Sequence, residues 1–163
     1  MTDWLSDADW AWAQAHLPIS CVDLLPVRIV QGRLAAVGLI LRDTPAGPGW
    51  CLAGGRILRG ESVAEAATRH LQTTLGHDLA FDGVDWEHPN DVAQYFTTRR
   101  EGHPVDPRRH SVALTYAVAI RGTPRPTGEA NEFQWFFVDE LPTKFGFDQD
   151  LVVSRVIAGL EQG

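Results

Sequence analysis

The chain has 163 residues, of which 44% are hydrophobic and 21% charged, a balance typical of a folded domain rather than a disordered segment. Its net charge of -7 and its single lysine, Lys144, argue against a nucleic acid or an anionic membrane as the main partner. An anionic small molecule stays open, because local arginines or a divalent cation can offset a negative surface. The length fits one domain over residues 1–163.

Cysteine use and the N-terminal stretch predict a cytoplasmic protein. The residues MTDWLSDADW lack the basic and apolar regions of a secretory signal, and no apolar run reaches the length of a membrane span. Cys21 and Cys51 each lie among apolar residues, which favours buried free thiols over a disulfide or a metal pair.

The first half of the chain predicts a helix followed by strands. SDADWAWAQAHL can form a short helix that is capped by Ser6 or Asp7 and ended by Pro18. ISCVDLLPVRIV and LAAVGLILRD are typical of strands, with a tight turn at QGR between them. TPAGPGW predicts a loop and WCLAGG a short apolar strand.

The second half adds a well-specified helix, two late strands and a final helix. Ser62 and Glu65 form a capping-box pattern, apolar residues then recur at helical spacing, and Gly76 supplies the stop. SVALTYAVAIRG predicts a strand at the centre of a sheet, NEFQWFFVDEL another strand, and DQDLVVSRVIAGLEQ an amphipathic helix. This order favours an α+β fold with a mixed sheet.

A long segment between these parts, WEHPNDVAQYFTTRREGHPVDPRRH, predicts a loop with one short strand around AQYFTT. Its histidines show no metal-ligand spacing, which favours a solvated loop. Four arginines in or near it form a dense positive cluster that could bind phosphate or simply offset the acidic surface: Arg99, Arg100, Arg108 and Arg109.

The stretch GGRILRGESVAEAATRHLQTTLG carries a family resemblance. Gly55, Glu61 and Arg69 have the spacing G-x5-E-x7-R, and Gly76 ends the helix. This outline resembles the Nudix box. The resemblance implies a Nudix-type α/β/α sandwich with a mixed β-sheet between helices. It also implies hydrolysis of a nucleoside-diphosphate derivative with Mg2+ (or Mn2+) on the diphosphate.

The end of the box departs from the family pattern, which has glutamates where this chain has His70, Thr73 and Thr74. Hard divalent cations need oxygen ligands, usually charged, so the main metal site of the family is missing. The chain is most similar to the GDP-mannose mannosyl hydrolase branch, whose box also lacks several glutamates. That likeness implies a nucleotide-sugar ligand and a homodimer.

The likeness to this branch assigns roles to individual residues. Gly54 matches a glycine whose carbonyl helps to hold Mg2+, and Asp23 matches an aspartate near the sugar. Arg56 and Arg69 match arginines that stabilise charge on the departing diphosphate. The pair Asp9-Trp10 matches an Asp-aromatic pair that reaches across the dimer to hold the base, although Trp10 could equally be a helix anchor.

Three positions differ from the branch and leave the function open. Its helix glutamate is Thr74 here, its general-base histidine is Ala130, and its neutral ligand before that histidine is Glu129. A rebuilt site could use Glu129 and the Gly54 carbonyl, assisted by Glu61 or Glu65. His70 could serve as the base, although its place on the apolar stripe favours packing. The alternatives are a catalytically inactive nucleotide-binding or regulatory module, and a structural domain with a vestigial pocket.

Overall fold

The computed structural model describes residues 4–163. Residues 1–3, where the stretch that argues against a secretory signal begins, lie outside the described residues. The elements follow in the order α1 (Asp7–His16), β1 (Ile19–Val30), β2 (Arg33–Thr44), β3 (Gly47–Cys51), β4 (Ala53–Arg56), α2 (Val63–Leu75), β5 (Ala80–Phe81), β6 (Asp91–Tyr95), β7 (Ser111–Val118), β8 (Ile120–Arg121), β9 (Glu132–Phe137) and α3 (Asp150–Gln162).

A large mixed sheet organises the molecule, in the strand order β3-β2-β1-β7-β6. β1 and β7 run parallel, with Ile19 opposite Ser111, and the other pairs in this sheet are antiparallel. β4 also pairs with β1, and β9 with β2. Of the predicted strand SVALTYAVAIRG, residues 111–118 form β7, which lies inside this sheet between β1 and β6, whereas Ile120–Arg121 leave it as β8. β5 and β8 form a separate small ribbon.

Both faces of the sheet are buried, each under its own helices. Side chains alternate along β1, so that Cys21 and Leu25 join a core with α1 and α3, whereas Val22 and Leu24 join a core with α2. This arrangement confirms the predicted α+β sandwich with a mixed sheet between helices. No helix in residues 4–163 is long and apolar enough to cross a membrane.

The helix ends predicted from local sequence are confirmed. The Ser62 hydroxyl accepts from the Glu65 amide at 3.2 Å, and the Glu65 carboxylate accepts from the Ser62 amide at 2.7 Å. Gly76 ends α2 with a φ of 117°, a conformation that favours glycine. Ser6 caps α1 in the same way by accepting from the Asp9 amide.

The predicted loop TPAGPGW is wrong over most of its length. Gly47 begins β3, which pairs with β2 from Thr44 to Ile40. Its backbone also lies against the segment around Gly146, where a Cβ on Gly49 would come within 2.7 Å of the Gly146 nitrogen. Glycine thus marks a close backbone contact inside a strand here, rather than a loop.

Candidate active site

A glycine pair fixes the floor of a cavity between β1 and α2. Gly54 lies opposite Asp23 in the β1–β4 ladder. A Cβ on Gly54 would overlap the carbonyl oxygen of Val22, and one on Gly55 would come within 2.8 Å of His70 Cε1. Both positions therefore require glycine because strand and helix approach the loop so closely.

The residues of the box after this loop satisfy one another. The Arg69 guanidinium donates to both oxygens of Glu61, at 2.6 and 2.9 Å, and to the Arg56 carbonyl at 3.0 Å. Glu61 also accepts from the Leu58 amide at 2.8 Å. The hydrogen bond from Arg69 is the main cause that holds the pKa of Glu61 below its usual range. Glu61 thus braces the turn before α2 and does not line the cavity.

His70, on α2, also contacts the glycine loop through the Arg56 carbonyl. Its Nε2 lies 2.9 Å from the Arg56 carbonyl, which is an acceptor, so Nε2 carries the proton and donates. Burial lowers the pKa of His70, which keeps the ring neutral at physiological pH. This nitrogen is therefore committed to positioning the glycine loop, and His70 as a base stays a prediction.

The C-terminal end of α2 meets the loop before β9. Thr73, Thr74 and Glu129 line one cavity there, so Glu129 lies near the positions where the family carries helix carboxylates. The Glu129 carboxylate is paired with Arg42 at 2.8 Å. Ala130, at the histidine position of the resembled branch, is buried in the α2-side core. We call the pairs Arg69–Glu61 and Arg42–Glu129 the neutral wall.

Another part of the cavity lining carries arginines of a different kind. The Arg56 guanidinium lies between two indole rings, 4.6 Å from the Trp4 centroid and 4.0 Å from the Trp10 centroid. The Arg109 guanidinium approaches the Trp10 ring at 5.6 Å. Among the described residues no carboxylate lies within ion-pair distance of Arg56. We call Arg56, Arg109, Trp4 and Trp10 the cationic wall.

Arg109 is held loosely by its neighbours. Its Nη1 donates to Gln14 Oε1 at 3.1 Å, and its Nε lies 3.9 Å from the Asp106 carboxylate. That Nε is buried and has no hydrogen-bond partner among the described residues. Asp106 is instead bound by Arg108 through two short contacts of 2.9 and 3.0 Å. Arg109 therefore keeps donor capacity that the described residues do not use.

A buried acid, Asp23, lines the same cavity. The Asp23 carboxylate accepts from the Tyr95 hydroxyl at 3.1 Å, and that hydroxyl accepts from Gln149 Nε2 at 2.9 Å. Gln149 in turn accepts from the Leu52 amide. Burial raises the pKa of Asp23 to about 6, against the Tyr95 hydrogen bond, which lowers it. Asp23 can therefore exchange a proton near neutral pH.

These groups share a cavity of about 520 Å³. Its charged lining consists of Arg42, Arg56, Arg69, Arg108, Arg109, Asp23, Asp106 and Glu129. Its aromatic lining consists of Trp4, Trp10, Tyr95 and Phe147. Cys21 and Cys51 also lie there as buried free thiols, as predicted, and burial raises the pKa of each to about 12.

The structure brings most of the sequence-predicted residues together. Gly54, Arg56, Arg69, His70, Asp23, Trp10 and Glu129 line the cavity. Asp9 does not, because its exposed carboxylate accepts from the Ser6 hydroxyl at 2.7 Å. Of the four clustered arginines, Arg108 and Arg109 line the cavity, whereas Arg99 and Arg100 lie at a separate surface hollow. Sequence reasoning missed Arg42, Tyr95 and Gln149, whose roles depend on contacts far along the chain.

Residues 1–157 match the sequence family described as a domain of unknown function, DUF4916. No curated protein matches the chain. A structure from Jonesia denitrificans, described as a possible asymmetric diadenosine tetraphosphate (Ap4A) hydrolase, has 31% identity and a TM-score of 0.81, covering 90% of this chain and 96% of that chain.

Two more distant structures have the same fold. A MutT/nudix family protein from Enterococcus faecalis has 17% identity and a TM-score of 0.67, covering 98% of this chain and 76% of its own. A MutT NUDIX hydrolase from Burkholderia pseudomallei has 22% identity and a TM-score of 0.62, covering 90% and 98%. The predicted Nudix fold is confirmed.

Proposed function

The chain belongs to the DUF4916 family and has the Nudix fold, and from this premise we propose that it binds and hydrolyses a nucleoside-diphosphate derivative, of the nucleotide-sugar class. The observation that carries the proposal is the cationic wall. It places two arginines and two indole rings on one side of a cavity that also holds a buried acid. Guanidinium groups suit phosphate oxygens, and indole rings suit a stacked base.

The cavity offers a place for each part of a nucleotide sugar. The diphosphate would lie against Arg56 and Arg109, and the base would stack on the exposed Trp4 ring or on Trp10. The sugar would then point toward Asp23, the role that the resembled branch gives to this residue. This orientation leaves the bond to be broken within reach of the buried acid.

The donors present do not fit a divalent cation bound as in the Nudix family. Within residues 4–163 no group of three or more His, Cys, Asp or Glu side chains is placed to hold a metal ion. Glu129 and Glu61 are each neutralised by an arginine, and α2 presents Thr73 and Thr74 where carboxylates would be needed. The described residues therefore offer no family-type site for Mg2+ or Mn2+, and turnover in EDTA tests this directly.

The chain's own residues supply charge stabilisation and proton transfer. Arg56 and Arg109 offset the charge that grows on a departing diphosphate, in a site already organised for it. Asp23, with a pKa of about 6, can accept a proton from the attacking water, or donate one to the leaving oxygen. Attack at phosphorus and attack at the anomeric carbon are both compatible with this arrangement.

A second candidate function is a nucleotide-binding or regulatory module without turnover. The observation that favours it is the pair of replacements at the catalytic positions of the resembled branch. Ala130 is packed into the core in place of a base, and Thr74 is buried in place of a metal ligand. In either function we propose a homodimer, with Asp9 and Trp10 at the shared edge.

The test is turnover of GDP-mannose, UDP-glucose, ADP-ribose and Ap4A with Mg2+, with Mn2+ and with EDTA. We expect product formation that falls about 100-fold in Arg56→Ala and in Asp23→Asn. Arg121→Ala is the matched control, because it removes the same charge from an exposed residue outside the cavity. No turnover with any substrate, while one of them raises the melting temperature, would favour the binding module.

A further inference from the structure

We propose that the cavity neutralises the diphosphate of its ligand with arginines instead of a divalent cation, using Arg56 and Arg109 as a two-armed clamp beside Trp10. The inference rests on the proposed function only in that a diphosphate derivative is the ligand. It holds whether the ligand is then hydrolysed or merely bound.

The first support is the placement of two like charges together. Both guanidinium groups approach the Trp10 ring, at 4.0 and 5.6 Å from its centroid. Burial is the main cause that lowers the pKa of Arg56, and the charge of Arg109 is the next. Two cations held close together without a carboxylate between them are unfavourable in the free protein, and an anion that bridges them relieves this repulsion.

The second support is unused hydrogen-bonding capacity. Arg109 Nε is buried without a partner among the described residues, and its distance of 3.9 Å to Asp106 is too long for a hydrogen bond. The Arg56 guanidinium contacts the faces of Trp4 and Trp10, and among the described residues its N–H groups have no hydrogen-bond acceptor. A phosphate oxygen is an acceptor that can use both edges.

The third support is the charge of the whole cavity. Of the five arginines in its lining, Arg42, Arg69 and Arg108 are each paired with a carboxylate at 2.6 to 2.9 Å, which leaves Arg56 and Arg109 to meet a ligand. A diphosphate that is esterified at both ends carries one negative charge on each phosphate. The cationic wall therefore offers one guanidinium for each phosphate of this ligand class.

The neutral wall explains why a cation is not needed. In Arg69–Glu61 and Arg42–Glu129 an arginine already occupies each carboxylate. A divalent cation would have to displace Arg42 or Arg69 from its partner and would add two charges to a cavity that is already positive. In this cavity arginines would neutralise the diphosphate, which in the Nudix pattern is done by a cation held by the helix carboxylates.

The experiment is a calorimetric titration of GDP-mannose and ADP-ribose into the intact protein, once in EDTA and once in excess Mg2+. We expect the Kd in EDTA to lie within about threefold of the Kd in Mg2+. Arg56→Ala and Arg109→Ala should each weaken binding in EDTA by about 10- to 100-fold. Arg121→Ala, with the same loss of charge, should leave the Kd unchanged.

Arg109→Lys separates a lost clamp from a misfolded protein. It keeps the charge but not the two-pronged donor geometry, and it should bind more weakly than the wild type and more tightly than Arg109→Ala, at an unchanged melting temperature. Binding that requires Mg2+ would overturn the inference and leave the proposed function standing. Failure of both probes to bind with or without Mg2+ would overturn the proposed function as well.

Discussion

The neutral wall and the cationic wall of the cavity both contain arginines, but the arginines have different roles. On the neutral wall Arg69 and Arg42 each meet a carboxylate at 2.6 to 2.8 Å, and these pairs tie the glycine loop, α2 and the strand β2 into the frame. On the cationic wall Arg56 and Arg109 lie beside Trp10. Among the described residues Arg56 has no carboxylate partner, and the carboxylate nearest Arg109 is that of Asp106 at 3.9 Å. An arginine near a phosphate-type loop therefore does not always bind a ligand. An arginine that is paired with a carboxylate of the protein supports the fold, and one without such a close pair can bind a phosphate.

The largest expected effect is on stability, from breaking the neutral wall with Glu61→Ala. The change leaves the Arg69 guanidinium without its carboxylate and the Leu58 amide without its acceptor, both in a partly buried turn. We expect a loss of about 3 kcal/mol in the free energy of unfolding. Urea unfolding measures it, with the exposed Glu87→Ala as the control.

Comparing Glu61→Ala with Arg56→Ala tests whether the two walls have different roles. We expect Glu61→Ala to lower stability while the folded fraction still binds the nucleotide sugar. We expect Arg56→Ala to weaken binding while stability is nearly unchanged. Equal losses of affinity in the two variants at a temperature where both are folded would show that the walls act as one unit.

The buried acid Asp23 gives a pH-dependent prediction of slightly smaller size. The folded pKa of Asp23 is about 6, above its ordinary value of 3.8. The folded state therefore binds the proton more tightly, and this contribution to stability is complete below pH 4 and is lost as the pH rises through 6. Replacing Asp23 by Asn should remove this pH-dependent loss of stability, because an amide does not ionise. The amide oxygen can still accept from the Tyr95 hydroxyl, so the contact is kept.

We expect Asp23→Asn to gain about 2 kcal/mol over the wild type between pH 4.5 and pH 7.5. Urea unfolding at the two pH values measures the difference between the proteins. If the difference in the free energy of unfolding does not change with pH, the charge of Asp23 is offset in the folded state. Asp23 would then be a counterion of Arg56 or Arg109.

The sequence predicts the start of α2 far better than the partners on either wall, for a physical reason. The capping box joins Ser62 to Glu65 within one helical turn, so local pattern reveals it. The pair Glu61–Arg69 was not predicted, since the resemblance assigns Glu61 to a metal and Arg69 to the diphosphate. Arg56 and Arg109 are distant in the chain, and they meet because β1 and β7 pair in parallel with Ile19 opposite Ser111. No period or motif in one sequence encodes that pairing, so Arg109 could be recognised only as part of a positive cluster.

The predicted metal residues show the same limit. The sequence places Glu129 and Glu61 near the box, but it does not show that Arg42 lies against Glu129, because Arg42 is on β2 and Glu129 precedes β9. The strand β3 was mispredicted for a similar reason, since its backbone partners on β2 outweigh the loop preference of its glycines and prolines.

The smallest effect compares the two helix caps, Ser62→Ala and Ser6→Ala, each of which removes a side-chain acceptor for about 1 kcal/mol. α2 buries five residues in the core, so losing the Ser62 cap should lower the global free energy of unfolding by that amount. α1 buries only Ala13 among its residues, so it can loosen locally while the rest stays folded.

Since α1 carries Trp10 of the cationic wall, Ser6→Ala should instead weaken nucleotide-sugar binding about threefold at a nearly unchanged melting temperature. Calorimetric titration and thermal unfolding of both variants measure the two effects, and a fall in melting temperature for Ser6→Ala equal to that of Ser62→Ala would show that α1 is as firmly part of the frame as α2.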